Sequence, residues 1–323
     1  MTVPRRNFIF VFIVMCLAAG GPAAAADKIV LGMIGAGSTV HWPTYIATEK
    51  GFYAKRGLEL DIIVVPSNSA MQQQIAAGAL DIGVSAGSPD PIRAVDKGSP
   101  AVILRIDSIA SPYAIVSKPE IKTPADLKGR TISLDGPKGI TRAYFDRVMA
   151  PTGLKEGDFD LVFQGATPAR LAALQSGAAD AAMLTSPFDS YAEAKGFKQL
   201  VLVNDVVKDI PFGVSVGNRP WVLGNQDVVQ KFFAAYREGV TWFYDPKNRD
   251  EAIQIALRNT KQKEADLIKT YDFFHRIEFF NKSDTVSKKH LENIMDVLVG
   301  FHDIEKRIAI ERLIAPEVTK VVD

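Results

Sequence analysis

The sequence predicts an α/β fold made of two similar lobes, with a helical C-terminal tail packed on the first lobe. The main observation is an internal sequence repeat, which we call the echo. Residues 71–98 read as helix, turn, short strand, small-residue loop and helix, and residues 170–196 repeat that order. Gly78 recurs as Gly177, and two aspartates recur at the same offset of 99 residues. Each copy brings the C-terminal end of a strand to one space, where open α/β sheets bind ligands.

The first 26 residues are typical of a secretory signal peptide and lie outside the predicted fold. They hold two arginines, an apolar run at 8–19 and three alanines at 24–26 that suit cleavage. The apolar run is shorter than the roughly 20 residues that a membrane-spanning helix needs. The only cysteine, Cys16, lies within it, so the mature chain has no disulfide or thiol chemistry. We therefore expect an exported protein.

The charge balance excludes nucleic acid as a partner. The chain has 38 Lys and Arg against 37 Asp and Glu, a formal net charge of +1 that becomes −1 once residues 1–26 are removed. Domains that bind nucleic acid carry a clear basic excess. A chain of 323 residues normally divides into two domains.

The first lobe is expected at residues 27–111. Apolar runs with β-branched residues predict strands at 28–34, 60–65 and 102–106, and the first copy of the echo contributes one more. With the helices between them the order is βαβαβαβ, which requires a mainly parallel sheet with helices on its faces.

The second lobe is expected at residues 112–215 and follows the same order. Residues 111–116 and 210–216 are expected to cross between the lobes. Residues 216–323 then return to lobe one, because this helical tail has too few strands for a third α/β unit. The strands of the second lobe outside the echo are predicted at 130–134, 159–163 and 199–203.

One pattern in the first lobe favours an enzyme. Residues 83–87 match Gly-x-Ser-x-Gly between a strand and a helix, which in hydrolases exposes a nucleophilic serine, here Ser85. Candidate partners follow at His275, His290 and His302. The second copy of the echo lacks the pattern, and there is no oxyanion segment of the His-Gly-Gly-Gly type. We expect a protein that is not an enzyme, with a serine hydrolase as an alternative.

No metal or cofactor is predicted. The histidines lack the spacing of metal ligands. The Gly35-Ala36-Gly37 run has Val40 where the dinucleotide fingerprint needs its third glycine. Trp42 and Phe188 lie at strand-to-helix junctions. At such a junction, each side chain either lines a pocket or packs in the core of its lobe.

Several segments carry a resemblance to a known family. Residues 49–53 (EKGFY) and 57–60 (GLEL), followed by 77–81 (AGALD), are characteristic of substrate-binding proteins of ABC importers. The subgroup is the one that handles sulfonates, taurine, nitrate and thiamine-pyrimidine precursors. The similarity continues through 127–130 and 177–180 and covers roughly two thirds of the mature chain. It implies a periplasmic binding protein fold of the second type, in which two α/β lobes joined by two crossovers clamp a ligand.

The resemblance also implies a function. The protein would be a periplasmic monomer that captures a small-molecule ligand and delivers it to an ABC permease and its ATPase; an exported ligand sensor is the alternative. The eukaryotic pyrimidine synthases of the superfamily need a cysteine-rich segment, which the mature chain lacks. By family analogy, the ligand contacts come from Ser38, Thr39, His41, Trp42, Ser67, Asn68, Ser85, Gly87, Ser88, Gly139, Thr141, Gln164, Thr185, Ser186 and Phe188.

The helix starts at these loops favour an anionic ligand. Free N–H groups at each helix start favour negative charge by ~0.3–1 kcal/mol. Trp42 and Phe188 would suit an apolar portion of the same solute. Asp90 and Asp189 follow the junction loops and are expected to face solvent as ordinary helix-start acids. We therefore predict a small organic anion, sulfonate or carboxylate, over bare nitrate.

Overall fold

The computed structural model of the protein describes residues 26–35 and 37–323. The predicted signal peptide and Cys16 lie outside the described residues, apart from Ala26. Within the described part, no helix combines the length and apolar character that crossing a membrane requires.

The first sheet has five strands in the order β2-β1-β3-β10-β4. β1 runs parallel to β2 and β3, whereas β10 is antiparallel to both of its neighbours, β3 and β4. The strands are β1 (Asp27–Ile34), β2 (Leu58–Val65), β3 (Ile82–Gly87), β4 (Ala101–Ser108) and β10 (Gly213–Asn218). The helices between the first four strands are α1 (Trp42–Glu49), α2 (Asn68–Ala76) and α3 (Pro89–Asp96).

The second sheet has five strands in the order β7-β6-β8-β5-β9. β6 is parallel to β7 and β8, and β5 is antiparallel to β8 and β9. The strands are β5 (Tyr113–Ser117), β6 (Thr131–Leu134), β7 (Asp160–Phe163), β8 (Ala181–Thr185) and β9 (Lys198–Leu202). The helices are α4 (Ile140–Met149), α5 (Thr167–Ser176), α6 (Phe188–Glu193) and α7 (Val203–Val206).

The remaining elements form the tail. They are α8 (Arg219–Gly224), α9 (Gln226–Tyr244), α10 (Arg249–Thr260), α11 (Glu264–Arg276), β11 (Thr285–Ser287), α12 (Lys288–Gly300), α13 (Ile310–Leu313) and β12 (Lys320–Val322). Short 3₁₀ turns lie at Thr39–His41, Ala54–Arg56, Pro124–Leu127, Ala150–Thr152 and Pro246–Asn248. β11 and β12 pair in parallel as a separate two-stranded sheet.

The two copies of the echo occupy equivalent places in different sheets, as α2-β3-α3 and α5-β8-α6. The shared Gly-Ala-x-Asp turn has a structural cause. Gly78 and Gly177 both adopt positive φ (70° and 79°), which glycine tolerates best. The Asp81 carboxylate then accepts a hydrogen bond from the N–H of Val30 in β1 (2.8 Å), and Asp180 accepts one from Thr131 in β6 (3.0 Å). Through its aspartate, each turn is therefore hydrogen-bonded to the neighbouring strand of its sheet.

Both segments expected to cross between the lobes contain strands, and this corrects the prediction. Residues 113–117 form β5 in the second sheet, and residues 213–218 form β10 in the first. Both strands are buried along their whole length, which is why they lack the alternating pattern of a surface strand. The lobe boundaries at 111 and 216 stay a prediction, and β10 begins before the second of them.

The tail packs on the first sheet and its helices. The apolar face of α9 is buried, and Gly239 on it brings α9 against the start of α1. A Cβ at Gly239 would lie 2.6 Å from the Pro43 carbonyl oxygen, so only glycine allows this approach. Aromatic side chains of α9 and α11 and aliphatic side chains of α10 belong to the same core cluster as residues of β1 and β4.

Candidate functional site

The carboxyl ends of β1–β3 and of β6–β8 carry the loops that were predicted to bind a ligand, and we call the region between these two sets of loops the cleft. The two lobes contact each other at two places. At the first, Ser186 in the β8–α6 loop lies 2.9 Å from the Thr270 hydroxyl in α11, and Tyr191 donates to Asp266 (2.5 Å). The C-terminal tail, which packs on the first sheet, therefore contacts the second lobe directly.

The second contact between the lobes is made by charged residues. Lys138, which precedes α4 in the second lobe, forms an ion pair with Asp303 of the tail. Arg93 of α3 also pairs with Asp303 (2.6 Å) and donates to the Lys138 carbonyl oxygen. One carboxylate thus links three segments from both lobes.

Ser85 has the most unusual backbone among the predicted site residues. It adopts φ 55°, a left-handed conformation that costs free energy for a non-glycine residue and clusters at functional sites. Its N–H donates to the buried carboxylate of Asp107 (2.8 Å), which also accepts from the Ser215 hydroxyl (2.8 Å). The Arg105 guanidinium lies 3.3 Å from Asp107. Burial raises the pKa of Asp107, and Arg105 opposes this shift.

The surroundings of Ser85 do not match those of a serine nucleophile. Its hydroxyl has only a long contact, 3.5 Å, to the Val40 carbonyl oxygen. His275 instead hydrogen-bonds the Phe243 carbonyl oxygen in the tail core, and among the described residues no histidine is hydrogen-bonded to Ser85. A serine nucleophile needs such a base. The Gly-x-Ser-x-Gly match lies at the end of β3, where Ser85 has no hydrogen-bonded base among residues 26–35 and 37–323.

The loops after β2 and β3 bind each other. Asn68 accepts a hydrogen bond from the Gly87 N–H (2.7 Å), and a Cβ on Gly87 would lie 2.9 Å from the Asn68 amide nitrogen. Ser67 caps α2 by accepting from Ala70 (3.2 Å). Ser88 is fully buried and donates to the Pro211 carbonyl oxygen (2.7 Å). The structure therefore corrects the prediction for Ser88, whose hydroxyl holds the crossing segment.

The loop after β1 leads into a buried aromatic cluster, and this corrects the prediction that Trp42 walls the pocket. The Trp42 side chain is fully buried, and its indole N–H donates to the Ala252 carbonyl oxygen (2.8 Å). Its ring centroid lies 5.2 Å from that of Phe243 and 5.8 Å from that of Tyr271. Trp42 is thus a core residue of lobe one, the second of the two roles that the sequence allowed.

His41, Thr39 and Ser38 precede Trp42 on the same loop. Ser38 and Thr39 begin the short helical turn without a side-chain cap. His41 is buried, and its Nε2 lies 2.9 Å from the Ile34 carbonyl oxygen. Burial lowers the pKa of His41 to about 4, so the ring is neutral at pH 7. Its Nδ1 has no hydrogen-bond partner within the described part of the chain.

The second lobe places its predicted residues along one edge of its sheet. Thr141 accepts from the Asp135 N–H (2.9 Å) and donates to the Asp135 carboxylate, and a Cβ at Gly139 would collide with that carboxylate. The Thr185 hydroxyl lies 3.4 Å from that of Thr167. The exposed Gln164, the half-buried Phe188 and Ser186 complete this edge.

Arg170 is a residue of this edge that the sequence analysis missed. It is 2% exposed and donates to the carbonyl oxygens of Met183 (2.7 Å) and Gly165 and to the Thr167 hydroxyl (2.8 Å). A signal was available, because the 99-residue offset aligns Arg170 with Met71, a fully buried apolar residue of the first copy. The two copies therefore differ at this buried position, where the first has an apolar side chain and the second has a charged one.

Asp90 does not face solvent, and this corrects the expectation from sequence. Its side chain is 20% exposed and lies 3.5 Å from Arg93. Burial raises its pKa to about 6, Arg93 opposes the rise, and Asp135 and Asp303 add to it. Asp189 is also partly buried, and burial raises its pKa as well.

The raised pKa makes a prediction for stability. The folded state binds the Asp90 proton more tightly than the unfolded state. This contribution is therefore fully present below pH 3.8 and is lost as the pH rises through about 6. We expect Asp90→Asn to raise the free energy of unfolding at pH 7.5 by up to about 3 kcal/mol, and the gain to shrink as the pH falls towards 4. Urea unfolding at several pH values measures this.

The control for this prediction is Asp96→Asn, an exposed position on the same helix. It should change stability little at any pH. A variant at Asp90 that is less stable than the wild type at pH 7.5, or a gain that does not depend on pH, would contradict the prediction.

Comparisons with known proteins agree with this architecture. A family model described as "NMT1/THI5 like" matches residues 38–249. The formylaminopyrimidine-binding protein of Halalkalibacterium halodurans is 26% identical over 238 residues, which cover 72% of this chain and 70% of that protein.

Solved structures show the same fold. The periplasmic aliphatic sulphonate binding protein SsuA from Escherichia coli superposes with a TM-score of 0.74 at 20% identity, covering 89% of this chain and 92% of that one. The periplasmic nitrate-binding protein NrtA from Synechocystis PCC 6803 gives a TM-score of 0.65 at 20% identity, covering 76% and 70%. The two mixed sheets form a periplasmic binding protein fold, as predicted, and the chain belongs to the NMT1/THI5-like family.

Proposed function

We propose that the protein is an exported solute-binding component of an ABC importer that captures a small organic anion in the cleft. Two observations carry this proposal: the strained backbone of Ser85 at the end of β3, and the contact between the β8–α6 loop and α11. Backbone strain of this kind persists only where the surrounding structure holds it in place, and it is frequent at ligand clamps.

Similar proteins support a solute-binding role over catalysis. The names of the relatives describe binding of a formylaminopyrimidine, an aliphatic sulphonate and nitrate. Within the described residues, Ser85 has no base beside it. The protein would act in the periplasm as a monomer and deliver its solute to a permease and its ATPase.

The proposed ligand contacts come from the loops that reach the cleft from each lobe. Those of lobe one are Ser38, His41, Asn68, Ser85 and Gly87. Those of lobe two are Gly139, Gln164, Thr185, Ser186 and Phe188. Trp42 and Ser88 are not among them, because the core and the crossing segment occupy their side chains.

Calorimetry on the chain that starts at Asp27 tests the proposal. The panel contains ethanesulfonate, taurine, nitrate, acetate and nicotinate, with ethylamine and thiamine as cationic members. We expect saturable binding of at least one organic anion. Binding of no member, or of the cationic members alone, would contradict the proposed ligand class.

A further inference from the structure

Arg170 is a buried cation without a carboxylate partner. Within residues 26–35 and 37–323, none of its nitrogens lies within 4.0 Å of an acidic side chain. The other fully buried guanidinium, Arg105, shows the usual arrangement, since it lies 3.3 Å from Asp107 and 2.9 Å from Asp284. Removing an ion from water costs several kcal/mol unless a partner compensates it.

The hydrogen-bond partners of Arg170 are neutral. A guanidinium has five N–H groups, and three of those of Arg170 bind two carbonyl oxygens and the Thr167 hydroxyl. Carbonyl and hydroxyl dipoles solvate the charge only in part. Among the described residues, the charge of Arg170 is therefore buried without a carboxylate in direct contact with it.

The position of Arg170 is at the cleft. Gly165 and Thr167 belong to the loop between β7 and α5, and the Thr167 hydroxyl lies 3.4 Å from that of Thr185 at the end of β8. The guanidinium carbon lies 5.7 Å from the ring centroid of Tyr113, which is the strand partner of Thr185. The charge thus sits directly behind hydroxyl groups at the carboxyl edge of the second sheet.

We propose that Arg170 supplies the counter-charge for the anionic group of the solute, which lies at the Thr167 and Thr185 hydroxyls. This inference rests on the proposed function and adds the residue that sets the preference for anions. The positive charge would then come from the second lobe alone, because the first copy of the echo has the apolar Met71 at the equivalent position. An anion closed between the lobes compensates the guanidinium where water is excluded and the attraction is strongest.

The test compares solutes of one shape that differ in charge. Ethanesulfonate is paired with ethyl methyl sulfone, and nicotinate with nicotinamide, with nitrate as a bare anion. Calorimetry at fixed ionic strength on the chain from Asp27 gives the preference of the wild type and of Arg170→Gln and Arg170→Lys. The matched control is Arg147→Gln, a half-exposed arginine of the second lobe that pairs with Asp209 (3.0 Å).

We expect the wild type to bind the anionic member of at least one pair 10-fold or more tightly than the neutral member. Arg170→Gln should lower the affinity for that anion 10- to 100-fold and remove the preference, Arg170→Lys should restore part of it, and Arg147→Gln should change nothing. If Arg170→Gln does not fold, the inference is tested by the preference of the wild type for the anion and by the reduced preference expected of Arg170→Lys.

Two groups of results would overturn the inference. One is a wild type that binds the neutral members as tightly as the anions, or binds no anion up to 10 mM. The other is an Arg170→Gln protein that weakens both members of a pair equally, which is the result expected of a residue that only clamps loops. A neutral solute held in the cleft would overturn the role of Arg170 and leave solute capture standing.

Discussion

Replacing Trp42 by alanine is expected to lower the free energy of unfolding by about 3–5 kcal/mol, the range for large aromatic residues lost from a core. The side chain is fully buried among Phe243, Tyr271 and Phe274, and its indole N–H satisfies the Ala252 carbonyl oxygen. The variant leaves a cavity and an unsatisfied acceptor. Urea unfolding followed by circular dichroism measures the loss.

The matched control is Trp221→Ala, because Trp221 is only partly buried at the edge of the same core. It should cost less than half as much. The affinity of folded Trp42→Ala protein for any bound anion should stay within about twofold of the wild type, because the Trp42 side chain is held in the core. A twofold change in affinity corresponds to about 0.4 kcal/mol. A stable variant with strongly weakened binding would instead place Trp42 in the ligand site.

Replacing Asp107 by alanine is expected to cost about 3–5 kcal/mol, the range for removing one partner of a buried ion pair. The carboxylate accepts from the Ser85 N–H and the Ser215 hydroxyl and lies beside Arg105. Its loss leaves these buried donors unsatisfied and releases Ser85 from its strained conformation. Ligand affinity should therefore fall together with stability, as unfolding and calorimetry on the same sample would show.

Asp107→Asn is the matched variant. It keeps an acceptor for Ser85, and burial already raises the pKa of Asp107, so the neutral amide should cost clearly less than alanine. Equal losses for the two variants, or an alanine variant as stable as the wild type, would show that Ser85 does not depend on this carboxylate.

The sequence predicted the repeated α/β units because their cause is local. The Gly-Ala-x-Asp turn requires a glycine at positive φ and an aspartate that binds the neighbouring strand, and both copies contain these residues. The antiparallel strands β5 and β10 could not be recognised in the same way. Each is short and buried on both faces, and its place in a sheet depends on strands that are distant in the sequence.

The site was less predictable because burial is a property of the whole fold. Trp42 begins α1 after the loop that follows β1, a position that suits either a pocket or a core. Its contacts with the tail helices decide between these two roles. Asp90 is mostly buried, and burial raises its pKa; Asp303, which is 213 residues away in the chain, is close enough to add to this rise. The 99-residue offset marks Arg170 as a charge that aligns with Met71, but only the structure shows that Arg170 is buried without a carboxylate in contact with it.

The central claim is that a solute is captured by closure of the two lobes, and the distance between the lobes measures this most directly. The chain from Asp27 has no cysteine, so Lys97→Cys in lobe one and Lys155→Cys in lobe two, both exposed, give a protein with two labelling sites for fluorescence energy transfer. We predict that an anion bound in calorimetry changes the transfer efficiency saturably, with the same dissociation constant, because the lobes move together around it. Binding with no change in transfer efficiency at saturation would contradict capture between the lobes.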